Sequence, residues 1–171
     1  SPSILANLCA GLFILPFFLF SATAGQLADK YEKTLLIKII KACEVGIMLI
    51  AAIGFHFQQL PLLLIALFLM GVHSSAFGPI KYAILPQTLT KNELVGGNAL
   101  VETGTSLAIL IGSMLGGFLI ALKPDGREFV SWAVLMIAII GFLVSWKIPK
   151  AESANKNLII NWNPFTETWR N

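Results

Sequence analysis

The sequence predicts an all-α, polytopic membrane helix bundle with five transmembrane helices. Composition is the first observation: 56% of the 171 residues are hydrophobic, 12% are charged, and mean hydropathy is +0.79. A soluble domain is about a quarter charged, so no water-facing surface can cover this apolar content. Length is the second. Apolar stretches at about 8–27, 35–57, 61–85, 94–122 and 129–146 fall near or above the ~20 residues a spanning helix needs. Periodicity is the third: none of the stretches alternates as a membrane-barrel strand must, leaving helices as the structure that satisfies the backbone in lipid.

The breaks between spans carry suitable punctuation. Asp29-Lys30-Tyr31-Glu32-Lys33 follows the first span and Gln58-Gln59 the second; 88–93 and Lys123-Pro124-Asp125-Gly126-Arg127 follow the third and fourth. Placing the Asp29–Lys33 loop inside sets the remaining orientation. Lys30, Lys33, Lys38, Lys41, Lys91, Lys147, Lys150, Lys156 and Arg170 then lie on the cytoplasmic side, and only Lys123 and Arg127 lie outside. That asymmetry follows the positive-inside rule, with residue 1 outside and residue 171 cytoplasmic. Residues 1–148 form the membrane unit. Residues 149–171 read as a cytoplasmic linker or as an interfacial segment anchored by Trp162 and Trp169.

Some function classes fall away. No clustered basic face with interleaved aromatics points to nucleic acid. Cys9 and Cys43 lie in apolar runs without metal-ligand spacing, and are expected to be buried small residues. No catalytic constellation, metal set or cofactor motif is present. Ser1-Pro2-Ser3 has neither an initiator Met nor a signal-peptide pattern, so a piece of a longer protein is expected.

The chemistry lies in charges at membrane depth, each of which costs several kcal/mol and marks a functional hypothesis. In the third span His73, Phe77 and Lys81 recur every four residues, with Ser74 and Gly78 adjoining, so they share a helical face. Gly78-Pro79 predicts a kink or local unwinding there. Lys81 either lines a pathway or snorkels to the headgroups. In the fourth span Asn98, Glu102, Thr105, Ile109, Gly112 and Gly116 form one stripe. Its lower half is polar. Its upper half, with Gly117 beside it, has the small-xxx-small pattern of close helix packing. A carboxylate in lipid is best accommodated by a cation, so a Lys81–Glu102 pair is expected. Glu44, three residues after Lys41, reads as a local ion pair.

Four stretches resemble known families. Gly25-Gln26-Leu27-Ala28-Asp29-Lys30-Tyr31-Glu32-Lys33 is similar to the loop motif between helices two and three of the major facilitator superfamily. Glu32 stands where a second glycine is usual, and Thr34 where another base often follows. The resemblance implies that Gly25, Asp29, Lys30 and Lys33 act in gating, with Asp29 as a conformational latch. Phe77-Gly78-Pro79-Ile80-Lys81-Tyr82-Ala83-Ile84-Leu85-Pro86, residues 93–102 and residues 108–113 resemble the lysophospholipid transporters of Gram-negative bacteria.

That resemblance implies most of the N-terminal half of a twelve-helix transporter of the bacterial inner membrane, helices two to six. Helix one and the C-terminal half would be its missing partners. The cargo would be a lysophospholipid such as lysophosphatidylethanolamine, with no cofactor. Lys81, Glu102, Asn98, His73 and Ser74 would line the substrate path. A fused or partner phospholipid acyltransferase is the enzymatic alternative, and a drug or metabolite exporter the alternative within transport.

Overall fold

The computed structural model describes residues 2–161; the Trp162 and Trp169 anchor lies outside them. Five long helices form: α1 (Pro2–Lys30), α2 (Lys33–His56), α3 (Leu60–Ala83), α5 (Leu94–Ala121) and α6 (Gly126–Ser145), with a four-residue α4 (Leu85–Thr88) after α3. Each covers one of the expected spans, and among the described residues there is no strand. α1, α5 and α6, and α3 continued through α4, are each long and apolar enough to cross a membrane. α2 has the length, 24 residues, but carries Lys33, Lys38, Lys41 and Glu44 in its first half.

Of the kink or local unwinding expected at Gly78-Pro79, the unwinding does not occur in α3. The α-helix runs through Gly78-Pro79 and gives way only at Ile84, before the short α4. A missing N–H removes one rung of the ladder, and the rungs on either side hold the helix. The α2–α3 turn closes with Gln58 at φ 55°, in the left-handed region.

α3 packs on α1 and α2, α2 on α6, and α5 touches α6 more lightly. The interior is built from small residues. Ala24, Ala28, Ala51, Ala66, Ala138 and Ala151 are buried, with Ile37, Ile47, Ile80 and Ile84. Small side chains let backbones approach, which is how helices associate where lipid tails are as apolar as leucine. At Gly71 a Cβ would lie 2.5 Å from the Phe13 carbonyl oxygen and 3.0 Å from Pro16 Cγ, so α1 and α3 need glycine there. Large side chains such as Phe18, Leu100, Met114 and Ile137 point outward, as in a protein solvated by acyl chains. Cys43 is exposed on that outer surface, against the expected burial, and Cys9 is half-buried.

The glycines in the second half of α5 have no packing role among the described residues. A Cβ at Gly112, Gly116 or Gly117 would meet nothing within 4 Å, and no residue of α5 is buried. The small-residue face is present, but among the described residues no helix covers it.

Residues 149–161 fold back over the α1–α2 loop. The Thr34 hydroxyl donates to the Pro149 carbonyl (2.8 Å) and accepts from the Ala151 N–H (2.9 Å), while the Lys33 N–H donates to the Ala151 carbonyl (3.0 Å). The Asn155 N–H reaches the Asp29 carbonyl (2.9 Å), and Gln26 bonds the backbone of Asn161 on both its N–H and its carbonyl. Ala151 completes an apolar cluster with Ala28, Ile37, Ile80 and Ile84.

Candidate functional site

α1, α2, α3 and α5 enclose a cleft of about 820 Å³. One wall is apolar, from Phe13, Phe17, Met70, Phe77 and Ile109; His73, Ser74, Lys81, Glu44, Tyr82 and Thr105 supply the polar groups. His73, Ser74 and Lys81 are thus brought together as the four-residue spacing on α3 predicts. Asn98 and Glu102 do not line the cleft. Asn98 turns its amide to the Leu94 carbonyl one turn back (2.8 Å).

The expected Lys81–Glu102 pair is not formed. Lys81 Nζ donates to Thr105 Oγ1 (3.1 Å) and lies 4.9 Å from the centroid of the Tyr82 ring. Glu102 accepts a 2.5 Å bond from the Tyr82 hydroxyl instead. Helix rotation explains the exchange: Thr105, one turn beyond Glu102 on the same stripe, is the residue that meets Lys81. Among the described residues no carboxylate lies within ion-pair distance of Lys81.

Glu44 is the acid of the cleft. Lys41 Nζ pairs with it at 2.7 Å, as the three-residue spacing predicts, and His73 Nε2 lies 3.5 Å from the same oxygen. His73 is 8% exposed and stacks on Phe77, and among the described residues neither of its ring nitrogens has a hydrogen-bond partner. Lys41 Nζ also sits 4.8 Å from the Phe77 ring centroid. Sequence reading assigned Glu44 wholly to Lys41. Its register with His73 across α2 and α3 is visible only in three dimensions.

The loop residues cluster apart from the cleft. Lys33 is 2% exposed and its Nζ donates to the Glu152 carbonyl (3.3 Å). Asp29 is exposed, Lys30 half-buried, and Gly25 has open space at its Cβ position. Both departures from the loop motif have local reasons. Glu32 caps α2 at φ −64°, ψ 121°, an extended conformation that does not call for glycine. Thr34 gives its hydroxyl to the backbone of residues 149–151.

An apolar, multi-helix chain with a mixed-charge cleft between its helices defines a multi-pass membrane protein of the transporter type. The profile of the Major Facilitator Superfamily matches residues 1–170, and the chain belongs to that family. It is 33% identical over 169 residues to "Lysophospholipid transporter LplT" of Escherichia coli O7:K1, covering 94% of this chain and 40% of that protein. It is 30% identical over 159 residues to the protein of the same name from Cronobacter sakazakii, covering 92% of this chain and 38% of the relative. The chain therefore spans about two fifths of the length of these relatives. No solved structure matches it.

Proposed function

We propose that this chain is part of a transporter that moves lysophospholipids across the bacterial inner membrane by alternating access. The observation that carries the reading is Lys81: an ammonium in an amphipathic cleft, bonded to a hydroxyl and without a carboxylate partner among the described residues. A zwitterionic lysolipid needs a cation for its phosphate, an anion for its ammonium and an apolar wall for one acyl chain. Lys81 with Ser74 and His73 supplies the first, Glu44 the second, and Phe13, Phe17 and Phe77 the third. Glu102 acts through Tyr82, which it holds at the cleft edge, and Asn98 lies on the approach. The end carrying Lys30 and Lys150 is the cytoplasmic one. There Asp29, Lys30, Gly25 and Lys33 gate, and the lysolipid is delivered for re-acylation by an acyltransferase.

The test is lysophosphatidylethanolamine uptake by spheroplasts expressing the full-length protein. Lys81→Ala and Glu44→Gln are expected to lower uptake about tenfold or more at unchanged expression, since each removes a charge-assisted contact. Normal uptake by Lys81→Ala overturns the site. Competition with a small cationic drug separates this reading from a drug exporter, which would favour the drug.

A further inference from the structure

We propose a second anion site, independent of the transport reading, on the basic face where residues 150–156 cross the α1–α2 loop. A pocket of about 310 Å³ is lined there by Lys30, Lys150 and Lys156, with Tyr31, Leu35, Ser153, Glu32 and Glu152. Three observations point to a phosphate-bearing ligand. Three lysines from two separate segments converge against two glutamates, leaving an excess of positive charge. The pocket also lies at the start of α2, which begins at Lys33, so the positive end of that helix dipole adds to the field. Finally, the Ser153 hydroxyl oxygen is buried and has no hydrogen-bond partner among the described residues. A buried, unpaired hydroxyl is costly and is normally satisfied by protein, water or ligand.

Other groups nearby are already engaged. Lys33 Nζ and Gln87 Nε2 both donate to the Glu152 carbonyl, and Lys30 Nζ lies 5.8 Å from the Tyr31 ring centroid. Lys150 and Lys156 are exposed at the rim and are free to close on an oxyanion. Tyr31 and Leu35, 45% and 52% exposed, form an apolar shoulder beside them. The geometry points to a phosphate group, carried by a lipid headgroup or by a soluble phosphate. Basic pockets at a membrane surface are built this way.

The experiment uses the full-length protein in detergent, titrated separately with short-chain phosphatidic acid and with inorganic phosphate. Affinity is read by microscale thermophoresis. Lys150→Gln/Lys156→Gln is expected to weaken binding about thirtyfold, and Ser153→Ala, which leaves every charge in place, about fivefold. Lys91→Gln, an exposed lysine outside the pocket, serves as the control and should bind as wild type. Phosphatidic acid binding that depends on these residues, without phosphate binding, assigns a lipid headgroup. Dependent binding of both assigns a soluble oxyanion site. Equal affinity of wild type and both pocket variants for both probes, or no binding of either, overturns the proposal.

Discussion

α3 is held to α1 by backbone-close contact between small residues, whereas α5 is held to α3 by side-chain hydrogen bonds across a cleft. At the first interface Gly71 faces the Phe13 carbonyl and Pro16 with no room for a methyl group. At the second, Lys81–Thr105 and Tyr82–Glu102 bridge a space of about 820 Å³, and α5 buries none of its residues. Close packing of this kind is stiff and does not deform gradually. Polar bridges in a membrane contribute about 0.6 kcal/mol each on average and can exchange. The contrast separates a close-packed block of α1, α2 and α3 from α5, which is held by bonds that can exchange.

Two glycine variants break the comparison most directly. Gly71→Ala drives a methyl into a backbone carbonyl that cannot rotate away, and is expected to cost about 1–3 kcal/mol, toward the upper end. Gly116→Ala meets open space and gains helix propensity, so it should be neutral or stabilising by up to about 1 kcal/mol. The thermal midpoint of the full-length protein in detergent reads both. A loss at Gly116 as large as at Gly71 would mean that another helix covers α5, and would end the distinction.

The fold-back of residues 149–161 is the next largest effect. Thr34→Val keeps the shape of the side chain and deletes a donor to Pro149 and an acceptor for Ala151. Ala151, whose N–H loses its acceptor, is buried, so about 1–3 kcal/mol is expected. Amide exchange at Ala151 and Lys33 checks it, with rates that should rise together. Unchanged exchange would mean that the apolar cluster around Ala151 holds the segment alone.

The helices were readable because bilayer thickness imposes a length and an apolarity on each, and runs of about 20 such residues are hard to mistake. Which α3 residues share a face was readable too, from the spacing of His73, Phe77 and Lys81. Partners were not. Spacing places Glu102 and Thr105 on one stripe but leaves the rotation of α5 about its axis undetermined, and that rotation gives Lys81 to Thr105. Glu44 was hidden by Lys41, three residues away, which accounted for its charge and left its second neighbour, His73, unsuspected. The contacts of residues 149–161 run to backbone carbonyls and N–H groups, for which side-chain patterning carries no signal. The one trace of them was Thr34, a departure from the loop motif whose reason lay 115 residues further along the chain.

Removing the polar bridges sharpens the other side of the comparison. Tyr82→Phe and Glu102→Gln, singly and together, form a cycle whose coupling is expected at about 0.5–1.5 kcal/mol. Thr105→Val, which leaves Lys81 without its hydroxyl, should lie in the same range. If α5 is the movable wall, these variants alter uptake kinetics more than thermal stability. A stability loss matching that of Gly71→Ala would make α5 part of the rigid block.

The smallest expected effect lies in the loop that leads into α5. Glu93 accepts from the Thr90 hydroxyl (2.7 Å) and the Thr90 N–H (2.9 Å), closing the turn before the helix. These two bonds, the hydroxyl's first, hold its carboxyl below the ordinary value of 4.5. A carboxylate whose pKa is lowered in the folded state contributes stability that is complete above the ordinary value and is lost as pH falls through the lowered one. The Thr90 amide should therefore exchange slowly at neutral pH and lose protection only below about pH 4.5, while Glu93→Gln weakens that protection at every pH and flattens the dependence. Because α5 is anchored so lightly elsewhere, loosening this turn should also raise exchange along its first turn, and leave α1 and α3 unchanged. Equal changes in α3 would show that α5 and α3 move as one body.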